Sequence, residues 1–330
     1  MHMNKIIASV ILGLGCFTAN AENLELDAAL QATYTNCIGI DDSLHDMKVM
    51  AGINTAVTGV GTGLGIGATA VGIAKARLDK TIEEEFEEMA ILTYEASGNH
   101  PVVSKEKFLK AFKEYMNNTE SLPEINQDTK ITVTVIAGTQ DSEKENQKQE
   151  LIRKSKRLGH WRTGLIAGNT VTNIAGAIIA GNNKVDKPLQ EQIDNCISAV
   201  KNLHIVIAQA RINGEDVSEA QQIESACKEF EYVDISKINN RAKGSMVSSI
   251  VGSGTGLAGT ITSALANSDK IRDNDTDQGI RKEKNLNTAA NVLSASSAVA
   301  SATATVFNAS QIKAVKDVAK VAQKCTEVLK

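Results

Sequence analysis

Four long stretches of the chain contain no charged residue, and charged residues bound each of them. These charge-free windows are residues 49–74, 163–183, 244–268 and 285–312. All three prolines lie between the windows, so nothing in them breaks a helix. A helix of about 21 to 28 residues is long enough to cross roughly 30 Å of hydrocarbon. The pattern predicts four long helices.

Small residues recur at every fourth position within the windows. A four-residue step is expected to keep them on one helix face, where short side chains let two backbones approach closely. This spacing resembles that of glycine-zipper envelope proteins. We therefore predict an all-α bundle with coiled-coil-type packing through small-residue faces. The predicted packing glycines are Gly59, Gly63, Gly67, Gly164, Gly168, Gly176, Gly244, Gly252 and Gly256.

The windows form two matching pairs. The tetrapeptide Gly-Thr-Gly-Leu at residues 61–64 recurs at 254–257, and a basic segment at 153–158 has a counterpart at 281–286. The match predicts a duplicated long antiparallel helical hairpin, and the two hairpins together would form a four-helix bundle. We assign residues 22–212 to the first hairpin repeat and residues 213–330 to the second.

The first repeat contains an additional segment, residues 78–150, which we interpret as a small insertion at the hairpin tip. It includes an acidic stretch at 83–88, a predicted helix at 104–117 and a β-like run at 131–135. These elements predict a small α or α+β insertion.

The N-terminus has the pattern of a secretory signal peptide. Lys5 precedes an apolar stretch at 6–17, and Ala19-Asn20-Ala21 provides a cleavage site, so residues 1–21 are expected to be removed. Cys16 leaves lipidation as an alternative, although the residues before it do not match a lipobox. We therefore expect an exported protein of the periplasm, the membrane or the extracellular space.

Four cysteines follow the cleavage site, and an even number in an exported chain predicts disulfides. In an antiparallel hairpin, the start of the first helix lies beside the end of the second. This geometry predicts the pairs Cys37–Cys196 and Cys227–Cys325, one for each hairpin. The alternative is four free, buried thiols.

Two motifs resemble known ligand loops. Gly254, Gly256 and Gly259 match the dinucleotide-binding spacing, but no second strand with an acidic residue follows, so helix packing is the preferred interpretation. Asp273, Asp275 and Asp277 resemble a calcium-binding loop with its glycine one position late. A weak calcium site and a solvated turn are the two alternatives there.

No other pattern in the sequence indicates a catalytic or metal-binding site. The histidines and cysteines lack the spacing of metal ligands, and no nucleophile, base and acid can be assigned together. A net charge of −4 does not favour nucleic acid. We expect no enzymatic activity, no cofactor, no nucleotide and no nucleic-acid partner.

The windows suit either a membrane or a tight bundle in water. Basic residues at one set of helix ends follow the positive-inside pattern, with both termini and all cysteines on the oxidising side. Asn, Ser and Thr make the windows only moderately apolar, which favours water. Trp161 suits either a membrane interface or a core position. The expected function is a structural or interaction protein of the cell envelope, with a second copy, another envelope protein or a bilayer as partner. The alternative is a membrane-inserting pore former.

Overall fold

A computed structural model describes residues 24–96, 141–272 and 277–330. The signal peptide, the helix at 104–117, the β-like run at 131–135, Asp273 and Asp275 lie outside the described residues, as does the side chain of Asp277. The elements are α1 (Leu24–Cys37), α2 (Ile40–Ala96), α3 (Asp141–Asn182), α4 (Lys187–Ile212), α5 (Ser218–Cys227), a 3-10 helix (Lys228–Tyr232), α6 (Ser236–Ala266), α7 (Asp269–Arg272) and α8 (Asp277–Leu329).

The predicted all-α class and the long helical hairpins are confirmed. The described part of the chain is almost entirely helical and contains no strand. The helices α2 and α3 form one hairpin, and α6 and α8 form the other. The helices also extend into the range assigned to the insertion, because α2 continues to Ala96 and α3 begins at Asp141. The insertion at 78–150 stays a prediction, because residues 97–140 lie outside the described residues.

Buried positions on the four long helices follow alternating steps of three and four residues, and we call each such row a seam. This spacing keeps one face inward, because 3.5 residues is close to the 3.6 residues of a helical turn. In α2 the seam includes Asn54, Thr58, Gly61, Gly65, Ala68, Gly72 and Lys75. In α3 it includes Ser155, Gly159, Arg162, Ile166, Asn169, Asn173, Gly176 and Ala180.

The chain divides into two compact units, and each contains residues of both predicted repeats. Unit 1 consists of residues 1–53, 181–243 and 308–330, and unit 2 of residues 54–180 and 244–307. The division into repeats at residue 212 stays a prediction, because compact units and duplicated repeats are different properties. Hydrogen bonds such as Asn169 to Ser297 and Thr305 to Thr58 join the two pairs of long helices.

Unit 1 has an apolar core. Large aliphatic side chains and one phenylalanine are fully or nearly fully buried there, and α1 packs along α4. Burial of such side chains contributes roughly 1.5–3 kcal/mol each. Central members of this core are Ile40, Leu44, Ile193, Val200, Leu203, Phe230, Ile238 and Val315.

Two disulfides lie in this core, and their pairing is the predicted one. Cys37 pairs with Cys196 and Cys227 with Cys325, with Cα–Cα distances of 4.8 and 4.5 Å. All four cysteines are fully buried. The paired cysteines are 159 and 98 residues apart in the sequence. Each bond therefore closes a long loop.

Short polar motifs fix the connections of unit 1. Asp186 caps α4 by accepting a hydrogen bond from the Leu189 amide. Gly214 follows the end of α4 with φ of 79°, a left-handed conformation that glycine adopts without steric cost. Before α5, the hydroxyl and amide of Ser218 donate to Asp216, and these hydrogen bonds lower the pKa of its carboxyl.

Unit 2 is built from parts of α2, α3, α6 and α8. Contacts such as Thr58 with Gly176 and Asp79 with Ser155 show that α2 and α3 are antiparallel. The pairs α3–α6, α6–α8 and α2–α8 are antiparallel as well. Asn169 donates to Ser297, so the diagonal helices α3 and α8 also touch. Such direct contact requires very small side chains between the helices.

Candidate functional site

The interior of unit 2 is polar. Its seams are formed by glycine, alanine, serine, threonine and asparagine, and the only large aliphatic side chain that is fully buried there is Ile166, among the described residues. The fully buried polar residues of unit 2 include Thr58, Asn169, Asn173, Ser249, Ser263, Ser294, Ser297 and Ser301. This distribution is the reverse of that in unit 1.

The exterior of unit 2 is apolar. Valine, isoleucine and leucine side chains lie exposed along all four helices, and Val299 is 67% exposed. The exposed set is Val60, Ile66, Ile73, Val171, Ile174, Ile178, Val247, Ile250, Val251, Leu257, Ile261, Leu265, Val292, Val299 and Val306. Soluble monomers rarely expose contiguous apolar patches larger than a few hundred Å². The exterior is therefore suited to an apolar environment.

Several buried polar groups hydrogen-bond to one another across helices, whereas the buried Ser245 and Ser249 hydroxyls have no partner among the described residues. The Asn173 amide donates to Asn169 Oδ1 at 3.0 Å, and the Ser301 hydroxyl is 2.9–3.0 Å from both asparagine oxygens. Ser297 donates to the Gly252 carbonyl at 2.7 Å, and Thr305 donates to Thr58 at 3.0 Å. The network joins α2, α3, α6 and α8.

Arg162 is the largest fully buried side chain in the described part of the chain. Its guanidinium donates to Ser263 Oγ at 3.0 Å, to Asn287 Oδ1 at 2.7 Å and to Asn291 Oδ1 at 3.2 Å. Its direct partners are thus neutral oxygens on α6 and α8. A cation held in this way connects three helices.

A second buried cation, Lys75, lies near the same end of unit 2. Its ammonium is 2.6 Å from Asp79 Oδ2 and 3.4 Å from Glu283 Oε1, while its side chain is 3% exposed. Ser155 donates to the other Asp79 oxygen, and Asn287 donates to Glu283. The two cations and two carboxylates form one balanced cluster across the helices.

The packing glycines are only partly those predicted. A Cβ at Gly252 or Gly256 would lie 2.5–2.9 Å from side-chain atoms of α3, and one at Gly176 or Gly244 would be equally close to its neighbours. Gly168 and Gly67 lie closest to leucine methyls. No atom lies within 4 Å of such a Cβ at Gly59, Gly63 or Gly164, so these three are not at a helix contact.

In α2 the contact glycines are Gly61, Gly65 and Gly72 instead. A Cβ on Gly65 would lie 2.7 Å from the Ala298 Cβ and 2.9 Å from its Cα. A Cβ on Gly61 would lie 2.5 Å from Thr172 Oγ1, and one on Gly72 would overlap Asn291. The seam of α2 is therefore shifted by two residues from the predicted face.

Two alanine substitutions in α2 are expected to have opposite effects. Gly65→Ala should destabilise the protein by about 1–3 kcal/mol, because the methyl meets the α8 backbone. Gly63→Ala should stabilise it by up to about 1 kcal/mol, since alanine favours helix and the space is open. Thermal unfolding of both variants in the same detergent measures the two changes in stability. Equal effects of the two substitutions would contradict the contact face assigned to α2.

The structure also describes the dinucleotide-like glycines and Trp161. Gly254, Gly256 and Gly259 lie inside α6 and not in a strand–turn–helix loop, so the dinucleotide interpretation is not supported. Trp161 is 63% exposed, and residues 97–140 of the cap proposed to cover it lie outside the described residues. The described residues contain no group of three or more His, Cys, Asp and Glu that could hold a metal ion. The aspartates of the calcium motif are outside that description.

Sequence reasoning did not single out the buried polar residues. Arg162 and Lys75 flank the charge-free windows and resemble ordinary helix-end charges. The signal that would have located them is the alternating step of three and four, which places both on the seams.

Three described segments contain helices long and apolar enough to cross a membrane, judged by length and composition: Leu24–Glu84, Asn146–Ile212 and Gln278–Leu329. They include the first, second and fourth charge-free windows. The third window, in α6, is not among them. Known proteins offer no guide here, because no family model, curated protein or solved structure matches the chain.

Proposed function

We propose that this protein is a non-enzymatic, exported component of the cell envelope whose unit 2 is embedded in a lipid bilayer. In this role it would act as a structural or interaction protein. The observation that carries the proposal is the reversed polarity of unit 2, with hydrogen-bonded polar side chains inside and aliphatic side chains outside.

The energetic argument depends on the surroundings of the exposed aliphatic side chains. In water each would lose roughly 1.5–3 kcal/mol relative to an apolar environment, whereas acyl chains provide that environment. Hydrocarbon also penalises unpaired polar groups, and the Asn169–Asn173–Ser301 network pairs them inside the bundle. The aliphatic exterior and the internal hydrogen bonds therefore both favour the placement of unit 2 in a bilayer.

The small seam residues supply close packing where no hydrophobic force acts between helices. In lipid, helices associate through van der Waals contact and interhelical hydrogen bonds, which requires small residues at the contact. We propose that the seams form a small-residue zipper with coiled-coil-type packing. Gly65 against Ala298 and Gly252 against Asn173 support this.

We also propose that the two hairpins arose by duplication. The Asn169 and Ser297 positions are equivalent by this scheme and lie 128 residues apart, as do Asn173 and Ser301. Both pairs occupy seam positions. A duplicated hairpin would place the same helix faces inward in both copies.

Unit 1 is suited to an oxidising aqueous compartment. Its apolar core and two disulfides are typical of exported domains, since thiols remain reduced in the cytosol. This supports the proposed export through a cleaved signal peptide at residues 1–21, with the periplasm or the cell surface as the compartment of unit 1.

Lysine substitutions on the exterior test the proposal. Val171 and Val299 lie near the middle of their windows and are 64% and 67% exposed. A Val171→Lys, Val299→Lys variant should lose most of its carbonate-resistant membrane fraction, because each lysine costs about 3 kcal/mol at the centre of a bilayer. Ile205→Lys in unit 1, where the side chain is 55% exposed, is the control and should leave that fraction unchanged.

The same variant separates the proposal from a water-soluble bundle. In water, two exposed lysines would change stability by no more than about 0.5 kcal/mol each and would improve solubility. A double variant that fractionates like the wild-type protein, or a wild-type protein released by carbonate, would exclude bilayer embedding.

A second candidate function is a pore former that inserts the same hairpins into a target membrane. The observation that favours it is the continuous polar interior, with side chains such as Thr58, Asn169 and Ser297. Release of a trapped dye from liposomes by purified protein would support this function. Stable insertion without release would favour the structural role.

A further inference from the structure

Exposed basic side chains surround unit 2 at one level. They follow the charge-free windows of α2 and α6 and precede those of α3 and α8. We call this set the basic rim. Its members are Arg77, Lys80, Arg153, Lys154, Arg157, Lys270, Arg281, Lys282 and Lys284.

Contacts inside unit 2 show that these four parts of the chain lie together. Ser155 on α3 donates to Asp79 on α2. Lys75 on α2 reaches Glu283 on α8, and the Thr163 and Ser263 hydroxyls of α3 and α6 are 2.8 Å apart. The basic side chains of four chain segments are thereby collected at one level of the bundle.

Among the side chains that the structure describes, the rim carries more positive than negative charge. The exposed acidic groups described beside it are Glu83, Glu84, Glu150 and Asp269. Ion pairs within the described residues engage Lys80 with Glu84 and Lys154 with Glu150. The remaining seven rim cations form none there, and Asp79 and Glu283 face the buried cations Lys75 and Arg162. The rim therefore presents surplus cationic groups outward.

The rim adjoins the apolar exterior, and Trp161 lies at the boundary. Its indole is exposed one turn after Arg157, and the next exposed aliphatic residues of α3 follow it. His160, Trp161, Gly164 and Leu165 line an open surface groove. An amphipathic aromatic ring between cationic and aliphatic surface is the arrangement found at the headgroup level of a bilayer.

We propose that the basic rim binds anionic phospholipid headgroups, with Trp161 at the headgroup level. This inference rests on the proposed function, since it requires the apolar exterior to lie in the acyl chains. Anionic leaflets attract Lys and Arg held close to their surface. Nucleic acid also binds cations, but its phosphates would leave the adjoining valine and isoleucine surface in water.

Trp161 is the protein's single tryptophan, so its fluorescence reports on the rim directly. Full-length mature protein is mixed with phosphatidylcholine vesicles, or with vesicles containing one-third phosphatidylglycerol. We expect a blue shift and flotation with both, and an apparent affinity at least tenfold higher for the anionic vesicles. Half-molar salt should remove most of that difference, because it screens charges beyond about 4 Å.

A charge-neutralising variant tests the rim itself. Arg153→Gln, Arg157→Gln, Lys282→Gln and Lys284→Gln together should lower affinity for anionic vesicles about tenfold and so remove most of the preference. Affinity for neutral vesicles should change little. The matched control neutralises four exposed cations of unit 1, Lys201→Gln, Arg211→Gln, Lys228→Gln and Lys320→Gln, and should retain the preference.

The outcomes separate the two proposals. Equal affinity of the wild-type protein for both vesicles overturns headgroup recognition while bilayer embedding stands. A preference for anionic vesicles that survives in the rim variant, or is lost in the unit 1 control, also overturns it. Absence of binding to either vesicle overturns both proposals. The salt titration uses wild-type protein, so the test does not depend on folding of the variants.

Discussion

Replacing Cys227 and Cys325 together by serine is expected to lower the free energy of unfolding by about 4–5 kcal/mol. The bond closes a loop with a sequence separation of 98 residues and lies fully buried in the core of unit 1. Without it, the unfolded chain gains the entropy of an open loop. Chemical denaturation of the oxidised wild-type protein and the double variant measures the difference.

The second disulfide provides the comparison. Cys37→Ser with Cys196→Ser should have a similar effect, since its loop is longer and the dependence on length is logarithmic. Peptide mapping without reducing agent gives an independent check. A peptide linking Cys196 to Cys227 would show a different pairing, and wild-type stability in both double variants would show that the bonds do not constrain the unfolded chain.

Arg162→Met is expected to destabilise unit 2 by about 3 kcal/mol. The substitution keeps the aliphatic stem but removes the donors to Ser263, Asn287 and Asn291. Buried acceptors that lose a charged donor are costly, because no water replaces it. Denaturation by increasing SDS fraction in mixed micelles, followed by circular dichroism, measures the change.

The control for this variant is Arg157→Met. Arg157 is exposed on the same helix, so its loss should change stability by no more than about 0.5 kcal/mol. Similar behaviour of the two variants would mean that the buried guanidinium does not hold the helices together.

The helices and disulfide pairs could be predicted because each depends on a strong, simple constraint. A charge-free window of more than 20 residues without proline allows little except a long helix. Once two such helices form an antiparallel hairpin, Cys37 and Cys196 lie at the same end. The pairing follows from chain direction alone and does not require knowledge of side-chain packing.

The helix faces could not be predicted from a period of four. Four residues turn a helix by about 400°, so each step drifts about 40° around the axis. Gly59, Gly63 and Gly67 therefore move around α2, whereas alternating steps of three and four keep Gly61, Gly65 and Gly72 facing inward. Glycine content indicated close packing without specifying the contact face.

The polarity of the windows was also difficult to interpret from sequence. Asn169 and Asn173 lower the mean hydropathy of their window and so favour an aqueous bundle. In the structure they lie inside and hydrogen-bond with Ser301, while Val171 and Ile174 lie outside. A linear average does not distinguish inner from outer positions, although lipid contacts only the outer ones.

The repeated tetrapeptide is not equivalent in the two hairpins. Gly61 is a contact position in α2, whereas its counterpart Gly254 has open space around it. Two of the contact glycines of α6, Gly252 and Gly256, correspond to Gly61 and Gly65 in the seam. The tetrapeptide match therefore aligns α2 and α6 two residues away from the alignment of their buried seams.

The disulfides change the covalent topology of the chain. Once oxidised, the polymer contains two closed rings, one sealed at Cys37 and Cys196 and the other at Cys227 and Cys325. A linear polypeptide can thread end-first through an opening one strand wide, but a ring must enter as a doubled strand. If the chain is exported as proposed, passage through a translocation channel of that width must precede oxidation, and the closed rings then oppose threading in the reverse direction.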